Sequence, residues 1–303
     1  MSTDLNFKKI ILSGTIAIIA TSAVAPLERI KLLLQNQREI IKQGKLTETY
    51  KNSIDCLVKT YKQEGISTFW RGNTTNCVST IATLAIRSSL QGRLLYIFKF
   101  KTEDSYLMCL SKNITTYVAA GAISLFLIYS LDFAYKRLAT DLEINFQRQY
   151  VNTIDVYKKT LATDGLFGIY RGFGISVVGI TLNRVLSISF YDFFKKILLK
   201  PESSTSCILA LSIGVTLAAN IIVYPIDTIR HRMIMTSGEP NKYNGSFDCC
   251  KKILKTEGFS EFMNGIDFFI IKDAFMGFVK FSLKSLIKHT FNVNLNSNGF
   301  YSS

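Results

Sequence analysis

Apolar residues gather into six long stretches, near positions 10–34, 76–98, 114–139, 175–199, 207–235 and 268–288. Each is long enough for about 20 residues of helix, the length that crosses a hydrocarbon core of about 30 Å. Three shorter amphipathic segments follow the first, third and fifth stretches, near 53–63, 153–163 and 247–256. The pattern predicts six membrane-spanning helices and three short helices lying at a membrane surface. Several spans carry charge: Arg87 and Arg93 in the second, Arg184 in the fourth, Lys272 and Lys280 in the sixth. Such charges are tolerated where they face a bundle interior or a water-filled cavity. A channel, a transporter and a receptor share that trait, so the spans alone leave function open.

An internal repeat narrows the choice. The first stretch ends Pro26-Leu27-Glu28-Arg29-Ile30-Lys31, and about 100 residues later the third ends Ser130-Leu131-Asp132-Phe133-Ala134-Tyr135. The fifth ends Pro225-Ile226-Asp227-Thr228-Ile229-Arg230. A second block follows each: Glu64-Gly65 to Trp70-Arg71-Gly72, Asp164-Gly165 to Tyr170-Arg171-Gly172, and Glu257-Gly258 to Met263-Asn264-Gly265. Three units are expected, 1–103, 104–202 and 203–303. A proline inside a helix removes one hydrogen bond and bends the axis. Pro26, Pro225 and, in the matching place, Ser130 therefore mark the helix bends where the odd helices converge. The acid and base after each bend lie about a turn apart, which suits ion pairs between neighbouring helices.

These motifs resemble the mitochondrial carrier family, whose pattern is Pro-x-acid-x-x-base, a spacer, acid-Gly and aromatic-base-Gly, three times over. The resemblance covers nearly the whole chain. It implies an all-α membrane protein of six transmembrane helices in three pseudo-symmetric repeats, each with a short matrix-side amphipathic helix. It also implies a matrix gate of Glu28, Lys31, Gln35, Asp132, Tyr135, Asp227 and Arg230, closed when the cavity opens to the cytosolic side. Asp132 would pair with Arg230, and Asp227 with Lys31, with Gln35 bracing a pair from one turn away. Tyr135 stands where the family has a base, so its hydroxyl would donate to Glu28 instead. Lys136 and Arg137 read as interfacial anchors.

A cytosolic gate is implied at Tyr191, Asp192 and Lys195, which fit the family's aromatic-acid-x-x-base ring. Leu90-Gln91-Gly92-Arg93 and Leu283-Lys284-Ser285-Leu286 depart from it. Gly72, Gly172 and Gly265 precede the even spans, where the family holds cardiolipin phosphates on exposed N–H groups at helix starts. A plain tight-turn role for these glycines is compatible with that.

Several strings resemble the ADP/ATP carrier branch: Ala23 to Gln35, Arg137-Leu138-Ala139-Thr140-Asp141, and Arg230-His231-Arg232-Met233-Ile234-Met235. The substrate-binding candidates are Thr83, Arg87, Gly179, Ile180, Asn183, Arg184 and Lys272. Gly179-Ile180 sits where the branch receives an adenine ring. The departures are in the cations that phosphates need. Thr21 replaces a lysine, Ser79 an arginine, Lys272 an arginine and Asn183 a tyrosine. His231 replaces the middle arginine of a triple, and histidine is largely neutral near pH 8. Arg87, eight residues after Ser79, is a candidate to return one positive charge to the cavity.

Composition adds two constraints. The chain of 303 residues is 48% apolar yet carries a formal net charge of +14. Its Lys and Arg are spread along the chain, not gathered in one stripe beside stacking aromatics, which argues against a nucleic-acid polymer. Anionic lipid head groups and a path for anions suit that charge better. The six cysteines form no C-x-x-C pair and have no histidine cluster nearby, so they read as small reduced hydrophobes, with no metal site expected.

No nucleophile–base pair and no P-loop is found, so no catalytic residue and no enzyme is expected. Cardiolipin is the one bound lipid implied, and no other cofactor is. Met1 to Lys9 shows no cleavable signal, so a multi-pass protein of the mitochondrial inner membrane would be addressed internally. Two classes of function remain. One is an alternating-access antiporter for adenine nucleotide or a related anion. The other is a transport-silenced carrier fold serving as an accessory subunit of an inner-membrane respiratory complex.

Overall fold

A backbone surrounded by lipid must satisfy its polar groups within its own segment, and the helix does so. The structure is a computed structural model describing residues 2–98, 106–143, 147–198 and 205–291. Six long helices appear there: α1 (Ser2–Lys42), α3 (Asn73–Phe98), α4 (Tyr106–Ala139), α6 (Phe173–Leu198), α7 (Thr205–Met235) and α9 (Ile266–Phe291). Between them lie α2 (Ser53–Glu64), α5 (Thr153–Ile169) and α8 (Ser246–Thr256). Segments Ile114–Ala139, Phe173–Leu198 and Ala210–Met235 are long and apolar enough to cross a membrane unaided. The remaining long helices, α1, α3 and α9, mix in more polar residues and complete a ring. In it α1 packs along α9, α3 along α4 and α6 along α7, and α1–α3, α4–α6 and α7–α9 contacts close the circle.

The threefold pattern is visible in small details. Asn52 caps α2 by accepting from the Asp55 amide at 2.8 Å, and Asn152 caps α5 by accepting from the Asp155 amide at 3.0 Å. Each satisfies a helix-start N–H that lacks an intrahelical partner. The third short helix begins at Gly245 without a side-chain cap. An apolar core also gathers around each short helix. Tyr50, Cys56 and Phe69 serve the first, Tyr150, Val156 and Ile169 the second, and Tyr243, Cys249 and Phe262 the third. Cys56 and Cys249 thus stand where the second unit has a valine. Burial pushes both thiols up to about 12, so they stay protonated and inert.

Proline lies inside α1 at Pro26 and inside α7 at Pro225, and both helices continue through it. α4 likewise runs through Ser130, whose amide is free to stay in the helix ladder.

Candidate functional site

One turn beyond Pro26, Ser130 and Pro225 the odd helices are tied together. Lys31 of α1 donates to Asp227 of α7 at 2.9 Å. Arg230 of α7 pairs with Asp132 of α4. Lys136 joins that pair from one turn away, 2.8 Å from Asp132. Gln35 does not brace an ion pair. Its amide donates to the Thr228 hydroxyl at 3.1 Å, a second bond between α1 and α7.

The third tie is built differently. No hydrogen bond joins Tyr135 to Glu28. Tyr135 packs instead with Leu32 and Ala139. Glu28 is held by Lys272 of α9 at 3.1 Å, with Lys31 at 3.9 Å. A carboxylate away from bulk water gains more from a cation than from a neutral hydroxyl, and the lysine stem is long enough to deliver one.

Lys136 and Arg137 are not interfacial anchors, because both are buried. Arg137 donates to the Met235 carbonyl at 2.5 Å, bonds the Tyr150 hydroxyl, and lies 3.5 Å from Glu239. Buried guanidinium groups recur around this pole. Arg29 meets Glu64 at 2.8 Å, and Arg232 reaches Glu257 at 2.9 Å and Glu39 at 3.2 Å. Burial opposes ionisation of Glu64. Arg29, the Thr68 hydroxyl, the Glu143 amide and Arg148 outweigh it and hold the carboxyl below its ordinary range.

The glycines that open the even helices have a packing reason. Gly72, Gly172 and Gly265 have φ of 78°, 84° and 79°, a region that costs other residues strain. A Cβ would stand 3.3 Å from the Tyr135 carbonyl at Gly72, 3.3 Å from that of Arg230 at Gly172, and 3.2 Å from that of Lys31 at Gly265. Those carbonyls occupy the base position of the following unit each time, so the start of each even helix packs against the tied pole. Arg71 and Arg171, just before two of these glycines, bond the carbonyls of Tyr150 and Tyr243 in the next unit. Asn264 is too short for that reach and turns back onto Glu261.

Beside this tied pole is a cavity of about 300 Å³, walled by α1, α6, α7 and α9. Gly179, Ile180 and Lys272 line it, together with Lys31, Asp227 and Arg230. Gly179 is tightly placed, since a Cβ would lie 3.3 Å from Ile226. Thr83 and Arg87 of α3 do not line it, and the Thr83 hydroxyl bonds the Ser79 carbonyl at 2.7 Å. Arg184 stacks its guanidinium 3.7 Å from the centre of the Tyr117 ring. Asn183 reaches the wall through a neighbour, donating to Asn220 at 2.6 Å.

Thr21 and Ser79 are buried and uncharged. At the far end of α6, Tyr191 is buried, Asp192 half-buried and Lys195 exposed. The side chains of Lys280 and Lys284 to Leu286, and the tail from Asn292 to Ser303, lie outside the described residues.

Sequence reasoning passed over Asn220 and Asp273, which both line the cavity. Asn220 donates to Asp273 at 2.8 Å, and Asp273 lies 3.9 Å from Lys272. The signal was present, because an amide and an acid stand inside apolar stretches where polar groups are costly.

The family pattern described as mitochondrial carrier protein matches residues 3–98, 110–202 and 201–295. The chain belongs to the mitochondrial carrier family. Among relatives of this carrier, ADP,ATP carrier protein 3 of Saccharomyces cerevisiae is 43% identical over 260 residues, covering 84% of this chain and 85% of the relative. The ADP,ATP carrier protein of Chlamydomonas reinhardtii is 42% identical over 258 residues, covering 83% and 84%. ADP,ATP carrier protein ER-ANT1 of Arabidopsis thaliana is 41% identical over 262 residues, covering 84% and 86%. This carrier is therefore a divergent member similar to ADP/ATP carriers, all-α and built from three repeats.

Proposed function

We propose that this carrier exchanges adenine nucleotides across the mitochondrial inner membrane by alternating access through its central cavity. The observation that carries the reading is a polar cavity lying directly on the interhelix ties Lys31–Asp227 and Asp132–Arg230. Such ties act as a matrix gate if they open and close with substrate, and a site contiguous with them is where a ligand biases that equilibrium. Gly179 and Ile180 offer an apolar surface for a base, and Lys272 a charge for phosphate. The similarity to ADP,ATP carriers supports the same substrate. Cardiolipin is proposed to sit at the helix starts after Gly72, Gly172 and Gly265, with Tyr191, Asp192 and Lys195 closing the cytosolic side.

The test is uptake of labelled ADP by proteoliposomes loaded with ATP, ADP or nothing. Exchange is expected only with internal nucleotide, and protein-free rates in every condition would end the proposal.

A second reading is favoured by one feature. Lys31, Arg230 and Lys272, the cations lining the cavity, are each already paired with a carboxylate. A carrier fold spending its cations on itself suits a structural subunit of a respiratory complex. Comigration with such a complex on a native gel, without nucleotide exchange after reconstitution, is the outcome that reading requires.

A further inference from the structure

The Asp273 carboxylate stands in the cavity wall, about one-quarter exposed, and its position is fixed from two helices away. Asn183 of α6 donates to the Asn220 carbonyl oxygen at 2.6 Å, which leaves the Asn220 amide nitrogen facing α9. That nitrogen donates to Asp273 Oδ2 at 2.8 Å. The chain of amides thus has a direction, and it ends on an acceptor. Asp273 Oδ1 points toward Lys272, 3.9 Å from its ammonium, but Lys272 is closer to Glu28, at 3.1 Å. Lys272 therefore serves two carboxylates, with Asp273 the more distant and only loosely compensated. Among the residues lining the cavity, Lys31, Arg230 and Lys272 face Asp227 and Asp273, while Asp132 draws on Arg230 and Lys136 and Glu28 on Lys272 and Lys31.

Resting on the nucleotide reading above, we propose that Asp273 is a specificity-determining residue that sets a charge ceiling on the substrate. A phosphate chain approaching Lys272 meets a fixed negative charge beside it, and each further ionised oxygen is repelled. In an interior with an effective dielectric near 20, one extra charge at about 10 Å is disfavoured by about tenfold. The site accordingly takes nucleoside mono- and diphosphates in preference to triphosphates. Asn220 and Asn183 are positioning residues. They hold the carboxylate in the wall and keep it from swinging fully onto Lys272, which would neutralise both.

The experiment is competition binding of AMP, ADP and ATP to the purified full chain in cardiolipin-containing detergent, free of magnesium, with wild type, Asp273→Asn and Asp273→Gly. Asp273→Asn keeps the shape and the acceptor for Asn220 while removing the charge, and Asp273→Gly guards against an effect of the new amide. The wild type is expected to bind ATP about tenfold more weakly than ADP. Both variants should narrow that gap several-fold, with ATP gaining most. An unchanged ADP-to-ATP ratio, with binding intact, overturns the charge ceiling and leaves the nucleotide reading standing. Absence of nucleotide binding in all three folded proteins overturns the nucleotide reading, and the ceiling with it.

Discussion

The three ties at the pole are not equivalent. Two join odd helices, Lys31 to Asp227 and Arg230 to Asp132, as the repeat pattern leads one to expect. The third should join α1 to α4 through position 135, but Glu28 instead reaches across to Lys272 of α9. The loss of one base did not orphan the acid. It moved the partner from α4 to α9, so each of the three ties presents a cation, Lys31, Arg230 or Lys272, to the same cavity. In the first two ties the acid and base both stand on odd helices, whereas in the third an anion in the cavity and Glu28 compete for the one ammonium of Lys272 on α9.

The largest expected effect comes from breaking an intact tie. Asp227 serves Lys31 at 2.9 Å, His231 at 3.5 Å and Arg230 at 3.7 Å. Asp227→Ala leaves Lys31 and Arg230 short of a counter-charge, and loss of one partner from a buried pair costs about 3–5 kcal/mol. A large drop in the thermal midpoint in detergent is expected. Tyr135→Phe, at the altered tie, should cost within about 0.5 kcal/mol because its hydroxyl does not hold Glu28. Equal losses in the two variants would erase the distinction between the ties.

Next is the backbone at the same pole. Gly172→Val must place a branched side chain at φ 84° with its Cβ 3.3 Å from the Arg230 carbonyl. A penalty of about 2 kcal/mol or more follows from the strained backbone and the crowding. A thermal midpoint within a degree of wild type would show that this contact gives way easily.

A smaller effect is expected from restoring the missing base. Tyr135→Lys offers Glu28 a partner on α4 and releases Lys272 to the cavity, so ADP affinity should rise several-fold in competition binding. Unchanged or weaker binding would mean that the Glu28–Lys272 contact does not limit the lysine.

The smallest effect concerns pH. The Glu64 carboxyl is held below its ordinary range, against the pull of burial, by Arg29, Thr68, the Glu143 amide and Arg148. A lowered folded-state pKa gives stability that is present above about 4.3, the ordinary glutamate value, and lost as pH falls through the folded value. The stability gap between wild type and Glu64→Gln should therefore be constant near neutrality and close in acid. A gap that widened on acidification would reverse the sign of the assignment.

Much of the fold was legible because it repeats. The apolar stretches marked the long helices, and the three amphipathic segments became α2, α5 and α8. Asp132–Arg230 and Lys31–Asp227 were readable from spacing and resemblance, since residues at matched positions of symmetric helices meet. What breaks the symmetry was not readable in that way. The repeat points Glu28 to Tyr135 because it relates only equivalent positions, while the lysine stem of Lys272 on α9 reaches Glu28 from outside the pattern. Lys136 and Arg137 read as anchors at the water boundary from sequence because their burial beside Met235, Tyr150 and Asp132 depends on how the loops fold over the pole. Asn220 and Asp273 are polar residues in apolar stretches, but the repeat motifs do not include their positions, and only the packing of α6, α7 and α9 brings them together.

A double-mutant cycle on thermal stability addresses the partner of Glu28 most directly. Glu28→Gln and Lys272→Met, alone and together, should show a coupling of about 1 kcal/mol or more, as contacting charges do. Glu28→Gln with Tyr135→Phe should be additive within about 0.5 kcal/mol. Coupling in the tyrosine cycle and additivity in the lysine cycle would return Glu28 to α4 and contradict the account.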